Sequence, residues 1–196
     1  MTLKKNKEGE VRKQEILDTS LQLFETTGYN KTTIQVILNE VGIGKGTFYY
    51  YFKSKEEILD TIVRNCFLSE FQSLKKLAED NSLSAIEKIN TLFSHSHEKC
   101  EYKRLQLKSR ISSILLDEEN ISLFFKYTKY FFREAKTSYI QIIKQGIQEG
   151  SMKTTSASKT TRALLYNMIH QKASLEKKIK KEKDELRRVS KKILKK

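Results

Sequence analysis

The most specific chemistry in this sequence lies where its glycines cluster. Four of the seven glycines fall between residues 28 and 46, and the run from Gly42 to Phe52 reads Gly-Ile-Gly-Lys-Gly-Thr-Phe-Tyr-Tyr-Tyr-Phe. Wound as a helix, this run turns Phe48 and Phe52, four residues apart, to one inward face. Lys45, Thr47, Tyr49 and Tyr50 are left outside. One ammonium, one hydroxyl and two phenols are donors and acceptors suited to phosphate oxygens and base edges. Gly46 lets a backbone come close to either.

Other chemistries fit less well. A phosphate loop for nucleotides needs Gly-Lys-Ser/Thr contiguous after a buried strand. Here Gly46 separates Lys45 from Thr47, and a helix precedes. His95, His97 and Cys100, with Glu98 and Glu101, carry metal-ligating atoms. On a helix 97, 100 and 101 share a face and 95 does not, and the spacing matches no known zinc motif. The reading is a polar helix end with a buried thiol. No Ser/His/Asp, Cys/His or paired-carboxylate arrangement emerges, and none of the three histidines has an orienting partner. The sequence therefore reads as a binding protein, not an enzyme, with no cofactor.

The elements that must hold the glycine-rich run read as helices throughout. The chain has no proline among its 196 residues, so hairpin chemistry is scarce and an all-α fold is expected. A basic arm (Lys4, Lys5, Lys7) leads into a helix over about 13–27, ended by Gly28. Thr32 with Gln35 reads as a capping box opening a second helix, closed by Gly42. The run from Lys45 follows after three residues. Two short helices joined by a Gly-containing turn form a helix-turn-helix, whose second helix enters the major groove of DNA. Ser54 with Glu57 is a second capping box, opening a long helix that reaches the Asp80-Asn81-Ser82 turn. Further helices are expected at about 84–100, 103–117, 121–149, 158–173 and 175–195. A domain boundary inside the long helix would leave a stiff lever.

Within residues 10–65 the sequence resembles the DNA-binding domain of the tetracycline-repressor (TetR) family. The residues that carry the likeness are Phe24, Gly28-Tyr29, Thr33-Ile34, Ile37 and the nearly continuous run from Gly42 to Leu59. The resemblance implies a three-helix DNA-binding domain over 1–65 (motif about 32–52), and a helical effector-binding and dimerisation domain over 66–196. It implies a cytoplasmic, homodimeric transcriptional regulator, usually a repressor, that reads a palindromic double-stranded operator. A small-molecule effector in the C-terminal domain would shift the separation of the two reading heads. Carried over by position, Thr33 and Lys55 would hold phosphates. Lys45, Gly46, Thr47, Tyr49 and Tyr50 would meet bases and phosphates. Four positions depart from the family pattern: Gly44 where a capping Ser is common, Leu38 and Val41 where Ala is frequent, and Tyr51 where His is common.

The net charge of +14 sits away from this motif. Residues 1–60 and 61–120 each carry nine basic and nine acidic residues, and 121–196 carry twenty and six. A few well-placed cations outweigh a segment total at a phosphate backbone. The favoured reading of the basic terminal helix is dimerisation, through Leu175, Ile179, Leu186, Val189 and Ile193 against Thr161, Leu164, Leu165, Met168 and Ile169. Extra nucleic-acid contact and attraction of an anionic effector stay open, as does an effector-independent bridging protein that binds DNA through this helix. The aromatic cluster around Tyr127, Tyr130 and Phe131 is a candidate effector pocket, with plain core as the alternative. Cys66 and Cys100 form no disulfide framework, and no apolar run is long enough to span a membrane.

Overall fold

In the computed structural model, residues 2–98, 102–168 and 174 are described; they are helical with short connections, and hold no strand. The first helix, α1, runs over Thr2–Thr26. The basic arm is therefore part of the helix, not a separate lead. Lys, Glu, Gln and Leu dominate this stretch, and good helix formers carry the helix through Gly9 despite a cost of about 1 kcal/mol there.

Two short helices follow, α2 (Ile34–Val41) and α3 (Lys45–Tyr51). The cap of α2 differs from the expected box. Thr33, not Thr32, is the N-cap, and its hydroxyl accepts the Val36 N–H at 3.3 Å. Thr32 is fully buried and donates its hydroxyl to the Gly28 carbonyl at 2.8 Å, while Gln35 bonds Asn39. Two adjacent threonines compete for one cap, and the buried one is claimed by the preceding turn. Gly42 ends α2 at φ 72°, in the left-handed region, and its N–H bonds the Leu38 carbonyl at 2.9 Å. A side chain there would be strained.

The long helix α4 occupies Lys55–Glu79. Ser54 caps it by accepting the Glu57 N–H at 3.2 Å. Glu57 reaches back to the Lys53 N–H at 2.7 Å, one residue earlier than a standard box. Helix α5 (Ala85–Glu98) opens on a further box: Glu87 accepts from both the N–H and the hydroxyl of Ser84. Helix α6 (Tyr102–Leu115), a 3-10 turn over Glu118–Asn120, α7 (Ile121–Gln148) and α8 over 157–168 complete the described chain. Gly146 of α7 lies under the Met152 side chain, which would have to shift for a Cβ placed 2.7 Å from it.

The described residues of 2–70 and 102–121 form one compact unit, and those of 71–98 and 122–174 form the other. In the first, Ile16, Leu21 and Phe24 of α1, Ile37 of α2, and Ile58 and Leu59 of α4 are buried. Each fully buried side chain of this kind contributes about 1.5–3 kcal/mol. α1 packs on α2 and on α6. Arg110 of α6 pairs with Glu25 of α1 at 2.6 Å. The second unit is built around Leu74, Ala78, Ala85, Ala135, Tyr139, Ile142 and Leu165.

Thr161 and Leu165 are buried within the second unit, and Met168 takes a bond from the Tyr139 hydroxyl at 3.6 Å. Those residues were expected together on a subunit-facing stripe, so that face is in part turned inward. Ile169, the helix beyond 168, the seam over 175–195, Cys100, and the side chains of His95, His97, Lys4, Lys5 and Lys7 lie outside the described residues. Among the described residues no helix is long and apolar enough to cross a membrane.

Candidate nucleic-acid interface

The geometry of α3 follows from two phenylalanines. Phe48 is 0% exposed and Phe52 is buried beside it, with ring centroids 6.5 Å apart. Burying both fixes which side of this short rod faces out. Lys45, Gly46, Thr47, Tyr49 and Tyr50 are all exposed, Tyr49 at 53% and Tyr50 at 81%. The five outward residues of the sequence reading thus share one surface. Large aromatic rings left bare on a seven-residue helix are not explained by folding, and phenols of this kind suit a partner that is part apolar and part polar.

The rings are also braced. Tyr49 meets Phe48 edge-on at 5.4 Å, and Tyr50 meets Tyr51 edge-on at 4.9 Å. Tyr51 is half-buried, and a Cβ placed at Gly9 would lie 3.6 Å from its hydroxyl. This residue therefore leans on α1 while its neighbours face outward. A Cβ at Gly46 would meet no protein atom, so the outer face of α3 is open at that turn. Gly44 caps α3 with backbone alone and no side-chain bond. Seven residues make a rod about 10 Å long, within reach of a major groove about 12 Å wide.

Thr33 stands at the other end of the motif, exposed at the start of α2. Its oxygen already accepts one N–H, which leaves its proton for an acceptor. The first N–H groups of a helix and a hydroxyl donor together favour an anion such as a phosphate.

Lys55 is placed differently from what the resemblance implies. Its ammonium is turned into the α1–α2 loop, where it donates to the carbonyls of Tyr29 at 2.8 Å, Thr32 at 3.1 Å and Asn30 at 3.3 Å. It also lies 4.5 Å above the Tyr29 ring. Burial pulls its pKa below the usual lysine value, opposed by the neighbouring Glu56. Burial pushes the Tyr29 phenol up to about 12, helped by Glu56 and Asp60, so Tyr29 stays neutral. Sequence alone missed this cluster, since its members lie more than twenty residues apart.

In the second unit, Tyr127 is buried, while Tyr130 and Phe131 are half-buried. The Phe71 ring lies 5.8 Å from Tyr130 and 5.9 Å from Phe131. A groove of about 400 Å³ in the same unit is lined instead by polar residues, among them Asn81, Thr137, Gln141, Lys144 and Gln145. None of the three aromatic candidates lines it.

Comparison with known proteins agrees with this geometry. Residues 16–62 match the family model for bacterial regulatory proteins of the tetR family, a stretch that contains all of α2 and α3. The transcriptional repressor KstR2 of Mycolicibacterium smegmatis is 26% identical over 146 residues, which cover 72% of this chain and 68% of that protein. The negative regulator IcaR of the Staphylococcus epidermidis biofilm operon is 38% identical over 69 residues, 35% of this chain and 37% of its own. The SmeT–triclosan complex shares the fold, with a TM-score of 0.66, 22% identity, and 86% and 83% of the two chains covered. These relatives are regulators of transcription, not enzymes.

Proposed function

We propose that the chain is a DNA-binding transcriptional regulator of the tetR type, whose family model its residues 16–62 match, and that it is a ligand-responsive repressor. It acts in the cytoplasm as a homodimer, each subunit reading half of a palindromic operator. Residues 1–65 form the reading head, and 66–196 hold the effector and the dimer contacts. Lys45, Gly46, Thr47, Tyr49 and Tyr50 meet bases and phosphates in the major groove, and Thr33 holds a phosphate beside it. The observation that carries this is the outer face of α3: four polar side chains bare to solvent on a rod whose other face is a fully buried phenylalanine.

The effector pocket is formed around Tyr127, Tyr130 and Phe131. Supporting it are the aromatic cluster with Phe71 and the likeness in fold to a regulator solved with triclosan. A ligand shifts DNA affinity only by its differential affinity for two conformations. Helix α4 is the coupling element, because it begins at Lys55 beside the interface and continues to Glu79.

The test is selection of a bound duplex from random DNA, followed by light scattering of the complex. The reading expects a two-fold symmetric site, two or more chains per duplex in even number, and binding that weakens steeply with salt. A screen of small molecules on that duplex should then find a releasing ligand. Binding of any duplex alike, lost on deletion of 176–196, would favour the bridging protein instead.

A further inference from the structure

The α1–α2 loop ends on Thr33, the proposed phosphate donor, and one side chain from α4 organises that loop's backbone. An ammonium has three protons and no acceptor. All three N–H groups of Lys55 are accounted for by the carbonyls of Tyr29, Asn30 and Thr32. A phosphate contact would require at least one of these bonds to break and its carbonyl to find another donor. The loop has further ties: Thr32 bonds the Gly28 carbonyl through its hydroxyl, and Asn30 donates to the Glu119 carbonyl at 3.0 Å. The Tyr29 ring beneath the ammonium is itself buried, edge-on to Phe24 at 4.9 Å. The ammonium is thus held against the loop by three carbonyl dipoles and a ring face while staying partly open to solvent.

We propose that Lys55 is a positioning residue for DNA binding. It gathers three loop carbonyls so that Thr33 and the N-terminus of α2 are presented to the duplex, and it does not itself neutralise a phosphate. Because it is the first residue of α4, displacement of that helix's first turn pulls on the loop directly. The proposal rests on the DNA-interface reading above.

Salt titration separates the two roles. Each lost phosphate contact flattens the slope of log affinity against log salt by about 0.9. The probe is the duplex selected from random DNA, with Lys45→Ala as the control expected to show a flatter slope. Lys55→Met is expected to lower affinity about tenfold or more at a fixed, verified folded fraction, with the wild-type slope kept. It should also speed amide exchange at residues 30–34 in the protein without DNA. A flattened slope, or unchanged affinity with faster exchange, overturns the positioning role. An unchanged Lys45→Ala slope points instead to failure of the α3 reading, while the exchange and affinity of Lys55→Met still judge Lys55. Should Lys55→Met not fold, wild-type protein with labelled lysine ammonium groups serves. The Lys55 signal should stay in place on duplex addition, and a nitrogen–phosphorus coupling across a hydrogen bond would refute the proposal.

Discussion

Removing the ring that backs the reading rod tests whether α3 is held as described. Phe48 is 0% exposed and in ring contact with Tyr49 and Phe52 at 5.4 and 6.5 Å. A phenylalanine side chain buries roughly 150–250 Å², which at about 25 cal/mol per Å² stabilises by about 4–6 kcal/mol. Measured truncations to alanine in cores cost about 3–5 kcal/mol, in the same range. For a chain of this length each kcal/mol lowers Tm by about 2–4 °C, so Phe48→Ala should lower it by roughly 6–20 °C. Circular dichroism melting gives the shift, and amide exchange over 45–51 locates it. Below its Tm the variant should also lose operator affinity, since one of the two rings that fix the outward face of α3 is gone. A Tm within a degree or two of wild type would refute the reasoning, because Phe48 would then carry no packing.

Two further outcomes concern the second unit. Lys88 is 0% exposed, and its ammonium donates to the Ala78 carbonyl at 3.0 Å and to Gln145 Oε1 at 2.6 Å, closing the C-terminal end of α4. Lys88→Met keeps the bulk and removes these bonds, so urea unfolding should show a loss of about 1–3 kcal/mol; equal or greater stability would mean that burying the charge outweighs its bonds. Hydrogen bonds from Ser82 hold the Asp80 carboxyl below its usual value, those from Ser84 do the same for Glu87, and the Ala85 N–H followed by Gln145 does so for Glu149. Carboxyls lowered on folding stabilise above their unfolded values of 3.8 and 4.5 and lose that contribution as pH falls through the lowered ones. Stability should therefore be level from about pH 6 to 5 and drop below about pH 4.5, and Glu149→Gln should flatten that drop; an unchanged acid limb would contradict the assignment.

What was legible in the sequence was whatever depends on near neighbours. The turn at Gly42, the four-residue spacing of Phe48 and Phe52, and the start of α4 after Ser54 are local, and the structure has each where periodicity and caps put it. The cap of α2 was missed by one residue because Thr32 and Thr33 are equivalent as local signals. Only the burial of Thr32 against the preceding turn separates them. Lys55 had a phosphate role only through the resemblance, and Lys88 stands in no motif. Their partners lie 23 to 26 residues away for Lys55, and 10 and 57 away for Lys88, in every case on another element, so no periodicity along one helix reveals them. The aromatic cluster was visible as composition, but which rings sit inside depends on the helix opposite, where Phe71 meets Tyr130 and Phe131.

The central claim is that the bare face of α3 is what touches a duplex. Titrating the selected duplex with wild type, Lys45→Ala and Tyr49→Ala at one salt concentration measures it directly. Both positions are exposed, so helix content and Tm should be unchanged. Each variant should bind about five- to 150-fold more weakly, since a good contact to a base pair is worth about 1–3 kcal/mol. Wild-type affinity in both variants would place the interface elsewhere on the protein.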